Sequence, residues 1–180
     1  EEYENHLFIS LKMISVNAEQ NEIVSEQLSI ILGNGWVISF QEQEGDVFAG
    51  IRERLRENKG LIRQRGADYL LYRLVDTVVD HYFFVIEHII DKGEDLEKAV
   101  LESSDKEMLH RIQNLKKQIM DLKRAIFPMR EVVVTLQRED STLIDKSTLH
   151  YMRDVYEHII QISDSIDSSR ETAANIMDLY

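Results

Sequence analysis

The chain of 180 residues is 43% hydrophobic, carries a formal net charge of −12 and has no cysteine. That hydrophobic fraction suits a folded domain, or a domain plus an appendage, and excludes a disordered chain. The acidic balance argues against general nucleic-acid binding, which needs basic surface, and without thiols there are no disulfides and no thiolate metal sites, which fits a reducing compartment.

No apolar run reaches the roughly 20 residues needed to cross a bilayer. The opening EEYENHLFIS lacks the basic start and small-residue cleavage site of a signal peptide. An acidic surface suits cations or basic partners, or simply solubility. Both ends read as cut: the first residues run almost at once into a strand pattern, and NIMDLY stops inside a helical one with no closing Gly, Asn or Pro. The expectation is a fragment of something longer.

Residues 1–44 read as β. HLFISLKMISV is rich in branched and aromatic residues, EIVSEQLSIIL alternates and then turns continuously apolar, and GNG at 33–35 supplies a tight turn into WVISFQE. Three strands are few for a free-standing sheet, so helices should cover one face. Asp46 is a candidate N-cap for a short helix in VFAGIRERLREN, ended by Lys59-Gly60. From about Leu61 to Glu102 the apolar spacing is helical through Leu70, Leu74, Val78, Tyr82, Val85 and Ile89, with Gly93 as the weak point. Ser104 and Glu107 form a capping box for the next helix, about Asp105 to Arg138, which Pro128 should kink.

The loop EDSTLIDKST leads to a last helix over 145–180. Its aliphatic residues Val155, Ile159, Ile162 and Ile166 step by four, three and four, and continue through Ser169, Ala173 and Ile176. Asp154, Glu157, Asp164, Asp167 and Glu171 fall on another side. Three helices of this length exceed the globular mean of about 11–12 residues. The predicted class is α+β: a small partial β-sheet covered by helices, then a two-helix antiparallel hairpin and a stalk helix. The expected parts are 1–60, 61–144 and 145–180.

Enzyme signatures are absent: no G-x-S-x-G, no P-loop, no G-x-G-x-x-G and no H-E-x-x-H. His81 and His88 are seven apart and could share a face, but a structural or solvent-facing role is the stronger reading. Basic residues cluster at 52–65, interleaved with Glu53 and Glu57, which suits a solvated helix face better than a nucleic-acid patch. Carboxylates from Glu87 to Glu107 crowd the join of the two middle helices, either as a cation-attracting tip or as a solvated hairpin end. Asp76 differs, because it lies among apolar neighbours in LLYRLVDTVVDHYFF. A desolvated carboxylate needs a partner: an Arg, a helix cap or a metal ion. Asp80 follows one turn later, and hard divalent cations bind through one or two carboxylates while keeping several waters.

The run QEQEGDVFAGIRERLRENKGLIRQRGADYLLYRLVDTVVDHYFFVIEHI, together with LKRAIFPMREVVVTLQRE and MRDVYEHIIQISDSIDSSRE, resembles the cytoplasmic domain of the CorA family of divalent-cation channels. The resemblance covers nearly the whole chain, in order. It implies no enzyme but a Mg²⁺ uptake system of the inner membrane, also passing Co²⁺ or Ni²⁺, built as a homopentamer. A zinc-exporting branch shares the architecture. The α/β part would face the cytoplasm, and the last helix would be a stalk leading into the membrane.

By the same resemblance, Asp154 in R-D-V-Y and Asp76 in A-D-Y-L-x-Y-x-L-x-D contribute to regulatory divalent-cation sites between subunits. Two further acidic ligands would precede Glu1, and the G-M-N selectivity motif and both membrane spans would follow Tyr180. A cation between stalks would screen their mutual repulsion and favour a closed state. The alternative is a helical scaffold that binds protein partners through the aliphatic seam.

Overall fold

The computed structural model describes residues 1, 3–17, 21–102, 105–138 and 141–180. Its strands are β1 (His6–Asn17), β2 (Glu22–Gly33) and β3 (Trp36–Gln41), in the antiparallel order β1-β2-β3. Alternation sends Leu7, Ile9 and Leu11 of β1 to one face, opposite Leu32, Ile30 and Leu28 of β2. All six are buried. The β2–β3 loop is Asn34-Gly35, and only Gly35 takes a left-handed φ, +82°. Gly33 is required for a different reason: a Cβ there would overlap the Trp36 indole folded back across it. Trp36, Ile38 and Phe40 alternate onto the sheet's other face, where they stay exposed.

Helix α1 (Ala49–Glu57) is capped differently from the sequence expectation. Its N-cap position is Phe48, with no side-chain cap. Asp46 stands two residues earlier, accepts a bond from the Phe48 amide and pairs with Arg52, whose guanidinium pulls the carboxyl below its usual range. The helix ends at Asn58 in the left-handed conformation, its N–H bonded to the Arg54 carbonyl, rather than at Lys59-Gly60.

Helix α2 (Ala67–Glu102) starts six residues later than the periodicity predicts. Residues 60–66 are largely turns that bury Ile62, and the apolar spacing there reports this burial, not a helix. Helix α3 (Lys106–Leu136) runs on through Pro128. Ser104 of the expected capping box lies outside the described residues, and Asp105 caps α3 by accepting from the Met108 amide at 2.9 Å. Helix α4 (Lys146–Leu179) is capped by Asp145. The architecture is α+β. Helices α2 and α3 cover the buried face of the sheet, and α4 packs against both.

The core is one cluster running from the sheet through all three long helices. Every seam residue of α4 named above, from Val155 to Ile176, is buried. Tyr82 joins helix to sheet by donating its phenol to the Lys12 carbonyl, and burial pushes that phenol well above its usual pKa. The start of α4 is fixed by buried Asp68, whose carboxylate accepts from the Asp145 amide at 3.0 Å and the Thr148 hydroxyl at 2.6 Å. Arg65 reaches Ser147 at the same corner. The remaining members of the basic 52–65 stretch are mostly exposed, with Arg52 and Lys59 paired to nearby acids. This matches a solvated face.

Two outcomes follow. Asp68→Ala strands two donors at once, and a buried donor without an acceptor costs about 1–3 kcal/mol. Its urea midpoint should fall clearly further than that of Thr148→Val, which removes one of the two bonds. Gly93 sits mid-helix and buried, and a Cβ there would make ordinary contacts of 3.8 Å to Thr172 and 3.9 Å to Leu115. Gly93→Ala should therefore stabilise the chain by about 0.5–1 kcal/mol through reduced backbone entropy, read by the same urea titration.

Candidate metal centre

The parallel course of α2 and α4 carries the site. The Asp68 anchor to Thr148 sets their level, and Gly93 facing Thr172 keeps it further down. Between these points, Asp76 and Asp80 stand one turn apart on α2, on one helix face. Across from them α4 places His158. One ligand atom from each of Asp76, Asp80 and His158 lies within 4.8 Å of the others. His158 Nδ1 is 3.9 Å from Asp80 Oδ1, too long for a hydrogen bond, and this buried nitrogen has no hydrogen-bond partner among the described residues. Phe83 meets the imidazole in a T-shaped contact, centroid to centroid 5.6 Å.

The electrostatics are set mainly by burial. Asp76 is 7% exposed while Asp80 is open to solvent. Desolvation raises the Asp76 pKa above its usual 3.8 and the Asp80 charge adds to it, against opposing effects from Arg73, His158 and Tyr72. Arg73 Nη1 donates to Asp76 Oδ2 at 2.7 Å. So the Arg partner expected for Asp76 exists, one turn back on the same helix, yet it does not offset burial. Arg73 also lies over the Tyr72 ring, which packs with Tyr69 and Tyr151 at centroid distances of 5.3 and 5.0 Å.

Two carboxylates held close and an imidazole nitrogen with no donor form a donor set suited to a divalent cation. With His158 engaged, the set fits Co²⁺ or Ni²⁺, which accept imidazole. The two carboxylates alone fit a partly hydrated Mg²⁺.

The sequence-predicted ligands part company here. Asp76 is in the group. Asp154 is exposed on α4, one turn before His158, and outside it. Sequence reasoning passed over His158, although a His one turn after Asp154 and next to the buried Ile159 was a readable signal. His81 and His88 join no such group among the described residues. His81 stacks on Phe84, and burial lowers the pKa of both imidazoles.

Comparison with known proteins identifies the family and the fold. A family model described as "CorA-like Mg2+ transporter protein" matches residues 1–180. The chain is 45% identical over 178 residues to a cobalt/magnesium transport protein CorA from Thermotoga maritima, covering 99% of this chain and 51% of that protein. It thus spans about half the length of the curated relatives it matches. Its fold matches the soluble domain of CorA from Methanocaldococcus jannaschii with a TM-score of 0.86 at 22% identity, covering 99% of this chain and 70% of that one. It also matches the ZntB cytoplasmic domain from Vibrio parahaemolyticus with a TM-score of 0.78 at 20% identity, covering 96% and 67%. The chain belongs to the CorA-like Mg²⁺ transporter family, a family of ion transporters and not of enzymes.

Proposed function

We propose that the chain is the cytoplasmic, ion-sensing part of a magnesium/cobalt transport channel of the inner membrane, a homopentamer in its complete form. A divalent cation held by Asp76, Asp80 and His158, with Asp154 offered to a neighbouring subunit, favours the closed state. Loss of the ion lets like charges drive subunits apart. This is feedback by linkage, since the ion favours whichever state binds it more tightly. In this reading residues 1–60 are a partial sheet domain, 61–144 a helical hairpin, and 145–180 a stalk leading toward the membrane.

The observation that carries the reading is the convergence of Asp76, Asp80 and His158 from two helices. The fold disfavours the ionised form of Asp76. Between pH 3.8 and its raised native pKa the native chain binds more protons than the unfolded one, so Asp76 costs stability as pH rises through that window. A structural carboxylate does the opposite. A bound cation would recover that cost.

Calorimetric and thermal-melt titrations of the chain with Mg²⁺ and Co²⁺ test this. In chelator, Asp76→Asn should melt higher than wild type, by about 2–4 °C for each kcal/mol recovered, and should lose most of the ion-induced rise. His158→Ala should weaken Co²⁺ more than Mg²⁺. A full ion-induced rise in Asp76→Asn would sink the reading. In the complete transporter, Asp154→Ala should keep transport but lose Mg²⁺-dependent protection from protease, and unchanged protection would remove Asp154 from the sensor.

A further inference from the structure

Helix α3 exposes Met120 (41%) and Phe127 (69%), seven residues apart and so on one side. Beside Met120 runs a groove of about 650 Å³ between α3 and α4, lined by Lys116, Met120, Lys123, Arg170, Ala173 and Ala174 among others. It continues past Phe127 and Arg130. In an acidic chain this groove carries four cations, Lys116, Lys123, Arg130 and Arg170, against two acids, Asp167 and Glu171. Asp167 within it is already shared by Lys123 and Arg170, whereas Lys116 and Arg130 have no acidic partner among the described residues.

Helix α2 presents the complement. Phe84 (59% exposed), Glu87, Asp91, Glu94 and Leu101 (73%) follow one another at spacings of three, four, three and seven, all exposed. None of these acids forms a salt bridge among the described residues. No residue of α2 lines the groove.

The two surfaces also share a level. Gly93 of α2 faces Leu115 of α3, and the helices are antiparallel. Going back six residues along α2 to Glu87 moves about 9 Å, and going forward five and eight along α3 to Met120 and Lys123 moves about 7.5 and 12 Å the same way. Asp91 and Glu94 come level with Lys116 by the same count. Copies standing side by side with parallel helices therefore bring acids to cations without any slip.

We propose that a second copy of the chain seats the acidic outer face of α2 in the cationic groove between α3 and α4. The contact is head-to-tail, so it repeats from copy to copy and closes a ring when the rotation allows. The inference rests on the self-association in the proposed function and not on the cation site.

Because the chain has no cysteine, only the introduced thiols can form disulfides, and each variant alone gives its homodimer rate for subtraction. Single variants Glu87→Cys and Met120→Cys, both at exposed positions, are mixed in chelator under mild oxidant. Near-UV circular dichroism checks their folds. The mixture should give covalent dimer at least about tenfold faster than Glu87→Cys mixed with Glu57→Cys, an exposed control. High salt, or Lys116→Glu added to Met120→Cys, should remove most of the excess. Equal rates for the two mixtures would overturn the proposed surfaces, and an excess that salt and Lys116→Glu leave intact would overturn the charge pairing. Chelator excludes a bridging ion, so either failure leaves the cation site to be judged by its own titrations. Sedimentation of the wild-type chain reads self-association separately.

Discussion

The packing of α4 against α2 is the constraint on which the rest depends. Both helices run the same way, and two anchor points hold their relative height. One is polar: the buried Asp68 carboxylate gripping the first turn of α4. The other is steric: Gly93, whose missing side chain admits Thr172. With these fixed, the aliphatic seam of α4 has one register in which to bury. Only in that register do Asp76 and Asp80 come opposite His158. The site is thus a consequence of helix registry, not of a dedicated loop.

That dependence explains what was legible in the sequence. Periodicity exposed the strands, the long helices and the seam, because each is a local pattern with a period of its own. The small glycine turn at 33–35 was equally local. What failed were features whose cause lies elsewhere in the chain. Residues 60–66 look helical because Ile62 is buried, and burial alone cannot tell a turn from a helix. Asp46 resembled a cap, but the nearby Arg52 claims it. The site split in the same way. Asp76 was conspicuous as a charge among apolar neighbours, a one-dimensional signal. His158 is separated from it by 82 positions of chain, and only the three-dimensional pairing of two helices makes it a partner. Under the proposed function, the exposure of Asp154 has meaning with another subunit beside it.

The charges around the site follow a common physical rule. Exposed acids on this protein are held in solvent or paired with neighbouring Arg and Lys, and such pairs contribute little. Asp76 is the exception because it is buried beside a like charge, and the opposing effects of Arg73, His158 and Tyr72 do not offset that burial. A fold that retains such an uncomfortable carboxylate keeps free energy in reserve for a ligand that can relieve it. Under the proposed function, stability and ion binding are two readings of one interaction.

The continuity of α4 has a mechanical consequence. A straight 34-residue helix is about 51 Å long, and His158 stands near its upper third. Some 21 residues, about 32 Å of rod, lie beyond it toward Leu179. With the upper end pinned at Asp68, the helix is a lever whose fulcrum lies above the site. A tilt of about 5° about that fulcrum would swing the far end by about 4 Å over the roughly 46 Å of helix beyond it. A change small enough to be absorbed by one ligand sphere would therefore arrive at Leu179 as a displacement comparable to an atom's diameter. No hinge within α4 would be needed to deliver it.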